Sequence, residues 1–190
     1  MEPAPKKVYL LDDFLKEEEG LDAIVDSVYA QLDDTAKVSQ LLMPAIGPYG
    51  EVEETILKLI KSRKIGGILL LNGTKEQFSS WVKEFNQINE ELNGLPYLYS
   101  ADAEPTLFNR KIKNTPTVKK AAELKSLEEV TTVTKQISKE LNDIGINYNF
   151  SPVVDVSTNK TVGYRGFGKN PENIIPWSQE FILQTQSHNI

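Results

Sequence analysis

The chain has no cysteine and a single histidine, His188, among its 190 residues. Without cysteine there are no disulfides, thiol nucleophiles or cysteine metal sites, and the redox compartment stays open. One histidine argues against a histidine-rich metal site and against a Ser-His-Asp triad, since both need a partnered imidazole. Long apolar runs are missing too; none approaches the ~18 residues of a transmembrane helix. There is no Lys/Arg run, and the net charge is -6, so neither a nucleic-acid footprint nor a basic membrane-binding surface is expected. No Gly-x-Gly-x-x-Gly or Walker pattern supplies a phosphate cradle. The first residues, "MEPAPKKVYLLDDFLKEEEG", lack the n-region and h-region of a signal peptide and read as a mature start. The compartment is left open, with a bacterial periplasm or cell envelope favoured over cytoplasm.

What is present is ordinary globular composition, 39% hydrophobic and 25% charged, enough for one core of moderate size. "LDAIVDSVYAQL" (21–32) spaces apolar residues as a helix does, and Asp33 or Asp34 can cap the next one. From there a rhythm runs. Strands are expected at 39–47, 65–73, 95–102 and from Ile146 through "SPVVDV". Helices are expected at 51–64, 74–92, 126–145 and 170–189. Thr74-x-x-Gln77 and Ser126-x-x-Glu129 form capping-box patterns; Gly145 is a stop and Pro171 suits a first turn. Phe78, Trp81, Phe85 and Ile88 share one helical stripe and read as core. Strands that are apolar throughout are packed on both faces, as in a parallel α/β sheet. "AEPTLFNRKIKNTPTVKKAAELK" (103–125) reads as a long polar loop, and such loops are often functional.

In parallel α/β folds, ligands gather at the carboxyl ends of strands. That places Gly47-Pro48-Tyr49, Asn72, Asp102-Ala103-Glu104, Asp155 and the loop to Arg165 at one mouth. Asp102 can accept sugar hydroxyls, or can simply cap a strand end. Glu104 can do the same or be a solvated side chain. Asp155 reads as support for its own loop, "STNKTVGYRG". Arg165 offers forked donors to hydroxyls, an N-acetyl carbonyl or a carboxylate; the alternative is a surface arginine stacked on Tyr164. His188, near a helix end, reads as mildly stabilising.

The segments "SQLLMPAIG", "IGGILLLNGTKEQF", "LPYLYSADAEP", "ELNDIGINYNFSPVVDVSTN" and "YRGFGKNPE" run in the order of a known family. From about residue 36 to the end the chain resembles the N-terminal (β/α)8 domain of glycoside hydrolase family 3, in the NagZ-like branch of β-N-acetylhexosaminidases. "GINYNFSPVVDV" followed by Arg-x-Phe-Gly is the specific part. The resemblance implies the first four βα units of a TIM barrel over 36–190, behind an N-terminal extension with a helix over 1–35. It implies that Asp102 and Arg165 bind the sugar in the -1 subsite, that Asp155 supports a loop, and that no metal or organic cofactor takes part. The substrate class it implies is terminal β-linked N-acetylglucosamine in glycans or cell-wall fragments.

Two departures stand out. The family continues from its strand-three aspartate as Asp-x-Glu-Gly-Gly-Arg; here the residues are "DAEPTLFNR", with Pro105 and Thr106 at the glycine positions. The Lys-His-Phe-Pro-Gly-His-Gly segment, the Asp-x-His acid/base pair and the aspartate nucleophile have no counterpart, so no catalytic residue is assigned. A TIM barrel needs about 250 residues. The expectation is therefore a fragment (a cloned piece, a proteolytic product or a truncated gene), inert alone, with open strand edges that favour self-association or pairing with the missing half-barrel. The alternative is a non-catalytic sugar-binding or assembly module of the same fold. An aldolase-type barrel ranks last, since no expected strand ends in a lysine.

Overall fold

The structure is a computed structural model that describes residues 10–14, 16, 18–156 and 162–190. It begins with α1 (Leu11–Phe14), α2 (Glu19–Gln31) and α3 (Asp34–Ser39). Then β1 (Ala45–Ile46), α4 (Glu53–Lys61), β2 (Gly67–Leu70), β3 (Gly73–Thr74) and α5 (Lys75–Glu91) follow. Next come β4 (Leu98–Ala101), α6 (Phe108–Lys111), β5 (Ile112–Lys113) and a short 3-10 turn at Ala121–Glu123. The chain closes with α7 (Leu127–Ile144), β6 (Tyr148–Asn149) and α8 (Pro171–Gln186).

The main sheet has four strands in the order β1-β2-β4-β6, all parallel. Its spatial order follows chain order, with a helix between neighbours, as in one sector of a (β/α)8 barrel. Register pairs Leu69 with Ala45 and Ser100, and Ser100 with Tyr148. Side chains alternate across a strand. Ile46, Ile68, Leu70, Tyr99 and Ala101 therefore share the outer face, where they are buried among the helices. The Tyr99 hydroxyl donates to Asn86 of α5 at 2.9 Å, and burial pushes its phenol pKa far upward. Phe78 and Phe85 of α5, Ile137 and Leu141 of α7, and Phe181 of α8 complete this core. Burying each such side chain contributes roughly 2–3 kcal/mol.

Local chemistry explains where the helices start and stop. Thr74 accepts from the Gln77 N–H, Ser126 from Glu129, Asn170 from Glu172, and Asp33 from Ala36. Glu129 does not close the expected box onto Ser126. Its carboxylate accepts the Lys125 N–H at 2.9 Å and pairs with Lys119 at 2.7 Å. Gly145 ends α7 in the left-handed region, φ 95°, as its position after Ile144 predicts. Trp81 lies on Phe78 and donates its indole N–H to Glu53 at 2.8 Å.

Two sequence expectations are corrected. Ser39 does not open a strand; it closes α3 by donating its hydroxyl to Thr35 O at 2.8 Å, and only Ala45–Ile46 enter the ladder. The polar stretch 103–125 is not an open loop. Phe108, Ile112, Val118, Ala121 and Leu124 are core residues, and β5 pairs in parallel with β3. This second, two-stranded sheet folds the stretch across the ends of β2 and β4.

The inner face of the main sheet is less covered. Leu98, Tyr148 and Phe150 are 47%, 43% and 49% exposed, although the register places them where a closed barrel has its packed interior. Beside β6 lies a cavity of about 560 Å³ lined by Leu98, Tyr148, Ser151, Ile182 and Ile190. Two asparagines fasten β6 to β4. Asn147 accepts the Tyr99 N–H and donates to Tyr97 O, and Asn149 accepts the Ala103 N–H at 3.0 Å. No helix among the described residues is long and apolar enough to cross a membrane.

Candidate functional site

The mouth forms at the carboxyl ends of β2, β4 and β6. Asp102 directly follows β4 and shares the inner-face parity of Ser100. It is partly exposed, and its Oδ2 lies 3.3 Å from Lys111 Nζ. Lys111 is the last residue of α6, the helix that folds back over the end of β4. Two residues beyond Asp102, Glu104 turns the other way, into the protein.

Glu104 is 1% exposed. Its carboxylate takes both forks of Arg165: Nε at 2.6 Å and Nη2 at 3.0 Å. This pairing holds the Arg165 guanidinium above its already high ordinary pKa, with Asp102 and Tyr164 adding smaller contributions. Reading Glu104 as solvated is therefore wrong, and so is reading Arg165 as a surface side chain stacked on Tyr164. The cause is nonlocal: a buried carboxylate needs a partner, and its partner lies 61 residues away.

Arg165 itself ends a turn, its N–H donating to Val162 O at 2.8 Å. Phe167, two residues on, is buried edge-on against Trp177 (5.9 Å between centroids) and tilted against Phe181 of α8. Thr106 touches the same turn. Its Oγ1 lies 3.3 Å from Tyr164 O and 3.4 Å from Arg165 O, and accepts the Ala121 N–H at 3.1 Å. The departure from the glycine pattern thus has a structural use. A groove of about 460 Å³ runs beside it, lined by Thr106, Asn109, Arg110, Lys120 and Tyr164.

Asp102, Glu104 and Arg165 are thus brought together, and Lys111 and Thr106 join them. Sequence reasoning missed the last two because it read their segment as loop. Asn72 ends the β2 side in the left-handed region, φ 56°, with its Oδ1 buried and without a hydrogen-bond partner among the described residues. Asp155 is exposed, and five residues of the loop assigned to it, 157–161, lie outside the described residues. His188 Nδ1 lies 2.8 Å from Gln184 O, just past the end of α8 and away from the mouth. Among the described residues there is no cluster of three or more metal-ligating side chains.

The arrangement is one of polar side chains fixed by ion pairs at strand ends, suited to hydroxyl and carbonyl recognition. The chain is 48% identical over 44 residues to the β-hexosaminidase A of Pseudoalteromonas piscicida, covering 22% of this chain and 7% of that protein. It is 23% identical over 156 residues to the β-hexosaminidase LpqI of Mycobacterium bovis (strain BCG / Pasteur 1173P2), covering 78% and 39%. It superposes on a glycoside hydrolase family 3 β-N-acetylglucosaminidase from Paenibacillus sp. str. FPU-7 with a TM-score of 0.72 and 26% identity, covering 83% and 31%. The chain thus spans well under half the length of each of these relatives. The family described as "Glycosyl hydrolase family 3 N terminal domain" matches residues 31–190, and the chain belongs to that family.

Proposed function

We propose that this chain is the amino-terminal part of a retaining glycosidase that removes terminal β-linked N-acetylglucosamine from glycans or cell-wall fragments. In this reading Asp102 accepts two sugar hydroxyls, and Arg165 donates to a hydroxyl or to the N-acetyl carbonyl. The observation that carries it is the placement of Asp102, paired with Lys111, and Arg165, paired with Glu104, at one mouth, in a family whose matched relatives are named hexosaminidases. Asp155 serves as loop support, and no metal or organic cofactor takes part.

Retaining hydrolysis needs a nucleophilic carboxylate and a separate acid/base about 5 Å apart across the bond. Glu104 is spent on Arg165 and Asp102 is paired with Lys111, so both carboxylates serve binding and orientation. The chain alone binds sugar and does not turn it over. Its open sheet edge and uncovered inner face pair with the complementary strands of the barrel or with a second copy.

The test is a titration of the 15N-labelled chain with N-acetylglucosamine, run beside an assay with an aryl β-N-acetylglucosaminide. Shifts at Asp102 and Arg165 without aryl release support the reading. No shift at either residue at high millimolar sugar overturns the assignment of the site. Glucose causing equal shifts overturns the N-acetyl preference. A non-catalytic sugar-binding module of the same fold gives the same titration. It separates from the glycosidase when the strands completing the barrel are supplied and no aryl release follows.

A further inference from the structure

Arg165 is a long side chain on a turn, and such a side chain loses much rotamer freedom when a ligand fixes it. In this structure that loss has already been met by two residues of the segment after β4. Glu104, almost fully buried, fixes the guanidinium plane through two parallel hydrogen bonds. A bidentate pairing fixes orientation as well as position. It uses the Nε–Nη2 edge and leaves the Nη1 donors for a ligand. Thr106 fixes the backbone of the same turn, reaching Tyr164 O and Arg165 O while accepting the Ala121 N–H. A glycine at position 106 has no such contact to offer.

We propose that Glu104 and Thr106 are positioning residues that hold Arg165 in its ligand-ready orientation, an inference that rests on the sugar-binding reading of Arg165. Glu104 acts on the side chain and Thr106 on the main chain. Neither touches the sugar. The Glu-Pro-Thr sequence thus replaces loop flexibility with a two-point clamp: Glu104 and Thr106 grip the arginine turn from one short segment, with Pro105 between them buried.

The experiment uses the whole 15N-labelled chain with Glu104→Gln, Thr106→Val and Thr106→Ser. The first readout needs no sugar: solvent exchange of the Arg165 Nε–H signal. It should be slow in the parent chain and in Thr106→Ser, faster in Thr106→Val and fastest in Glu104→Gln. The second readout is N-acetylglucosamine affinity, expected to fall about tenfold in Glu104→Gln and about threefold in Thr106→Val, with Thr106→Ser unchanged. Backbone amide spectra check that each variant is folded. Unchanged Nε–H exchange in Glu104→Gln overturns the clamp. Faster exchange with unchanged affinity overturns its role in binding. If the parent chain gives no response to N-acetylglucosamine, the sugar-binding reading fails by itself. The exchange series then decides separately whether the clamp exists.

Discussion

The Lys111 ammonium lies 3.3 Å from the Asp102 carboxylate, and it reaches there from a helix that the intervening segment wraps around the end of β4. The contact engages Oδ2 and leaves Oδ1 for a ligand. Lys111→Met keeps the aliphatic stem and removes the charge. Sugar affinity should fall about threefold to tenfold, which is roughly 0.7–1.4 kcal/mol. Stability should change by less than about 1 kcal/mol, because the pair is partly solvated. Calorimetric titration and urea unfolding of the one variant separate the two effects.

Phe167 carries the arginine turn on its back. Its ring is buried against Trp177 and Phe181, so it ties the segment after Arg165 to α8. Phe167→Ala should cost about 3–5 kcal/mol in urea unfolding. Phe167→Leu should cost about 1 kcal/mol and still weaken sugar binding, since the turn loses its aromatic seat. Equal affinity in Phe167→Leu and the parent would show that the turn holds itself.

Gly47 has φ 133°, and a Cβ there would sit 1.9 Å from Leu71 O. Gly47→Ala should therefore destabilise by about 2 kcal/mol or more. The damage should show first in the β1–β2 pairing, where Leu71 N–H donates to Ile46 O. Amide exchange at Leu69 and Leu71 is the direct measure.

Asp143 accepts Nζ of Lys139 at 2.7 Å and Nζ of Lys75 at 3.0 Å, and these hydrogen bonds hold its carboxyl below the ordinary range. A carboxylate whose folded pKa is depressed adds stability above its unfolded pKa, near 4, and loses it as pH falls through the lower folded value. Glu140 and Asp143 together raise the Lys75 pKa, so that part persists until the pH climbs past the ordinary lysine range. Asp143→Asn should lower the urea midpoint at pH 6 and have little effect at pH 2.5. An equal loss at both pH values would remove the charge argument.

The uncovered inner face makes an association prediction. Sedimentation should find the chain self-associated at micromolar concentration, and Tyr148→Ser with Phe150→Ser should shift it toward monomer. These two rings pack edge-on, 5.0 Å apart, in a position open to solvent. A monomer at all concentrations would show that the exposed face is tolerated.

Much of this fold was legible because its signals are local. Thr74, Ser126 and Asp33 cap where their side chains can reach a nearby N–H, and Gly145 stops α7 where only a left-handed residue fits. The stretch after Asp102 was not legible. Its core residues, Phe108, Ile112, Val118, Ala121 and Leu124, fall in two short runs broken by polar residues, too brief for a helical period to stand out. Their burial is decided by the elements they cover. Asp102 and Arg165 are singled out by strand-end position and resemblance. Glu104 was misjudged because nothing near it in the chain foretells a partner at position 165.

The two asparagines at β6, Asn147 just before it and Asn149 within it, act on the neighbouring strand as a key acts on its wards. Asn147 answers one donor and one acceptor of β4 and its approach, and Asn149 answers a third group just past the strand. Sliding β6 by a single residue would put Tyr148 and Phe150, or Ile146 and Tyr148, where the two amides now stand and break all three contacts. Aspartate cannot donate to Tyr97, and leucine can do neither task. With only two residues in the ladder, β6 owes its alignment to these side chains more than to its own backbone.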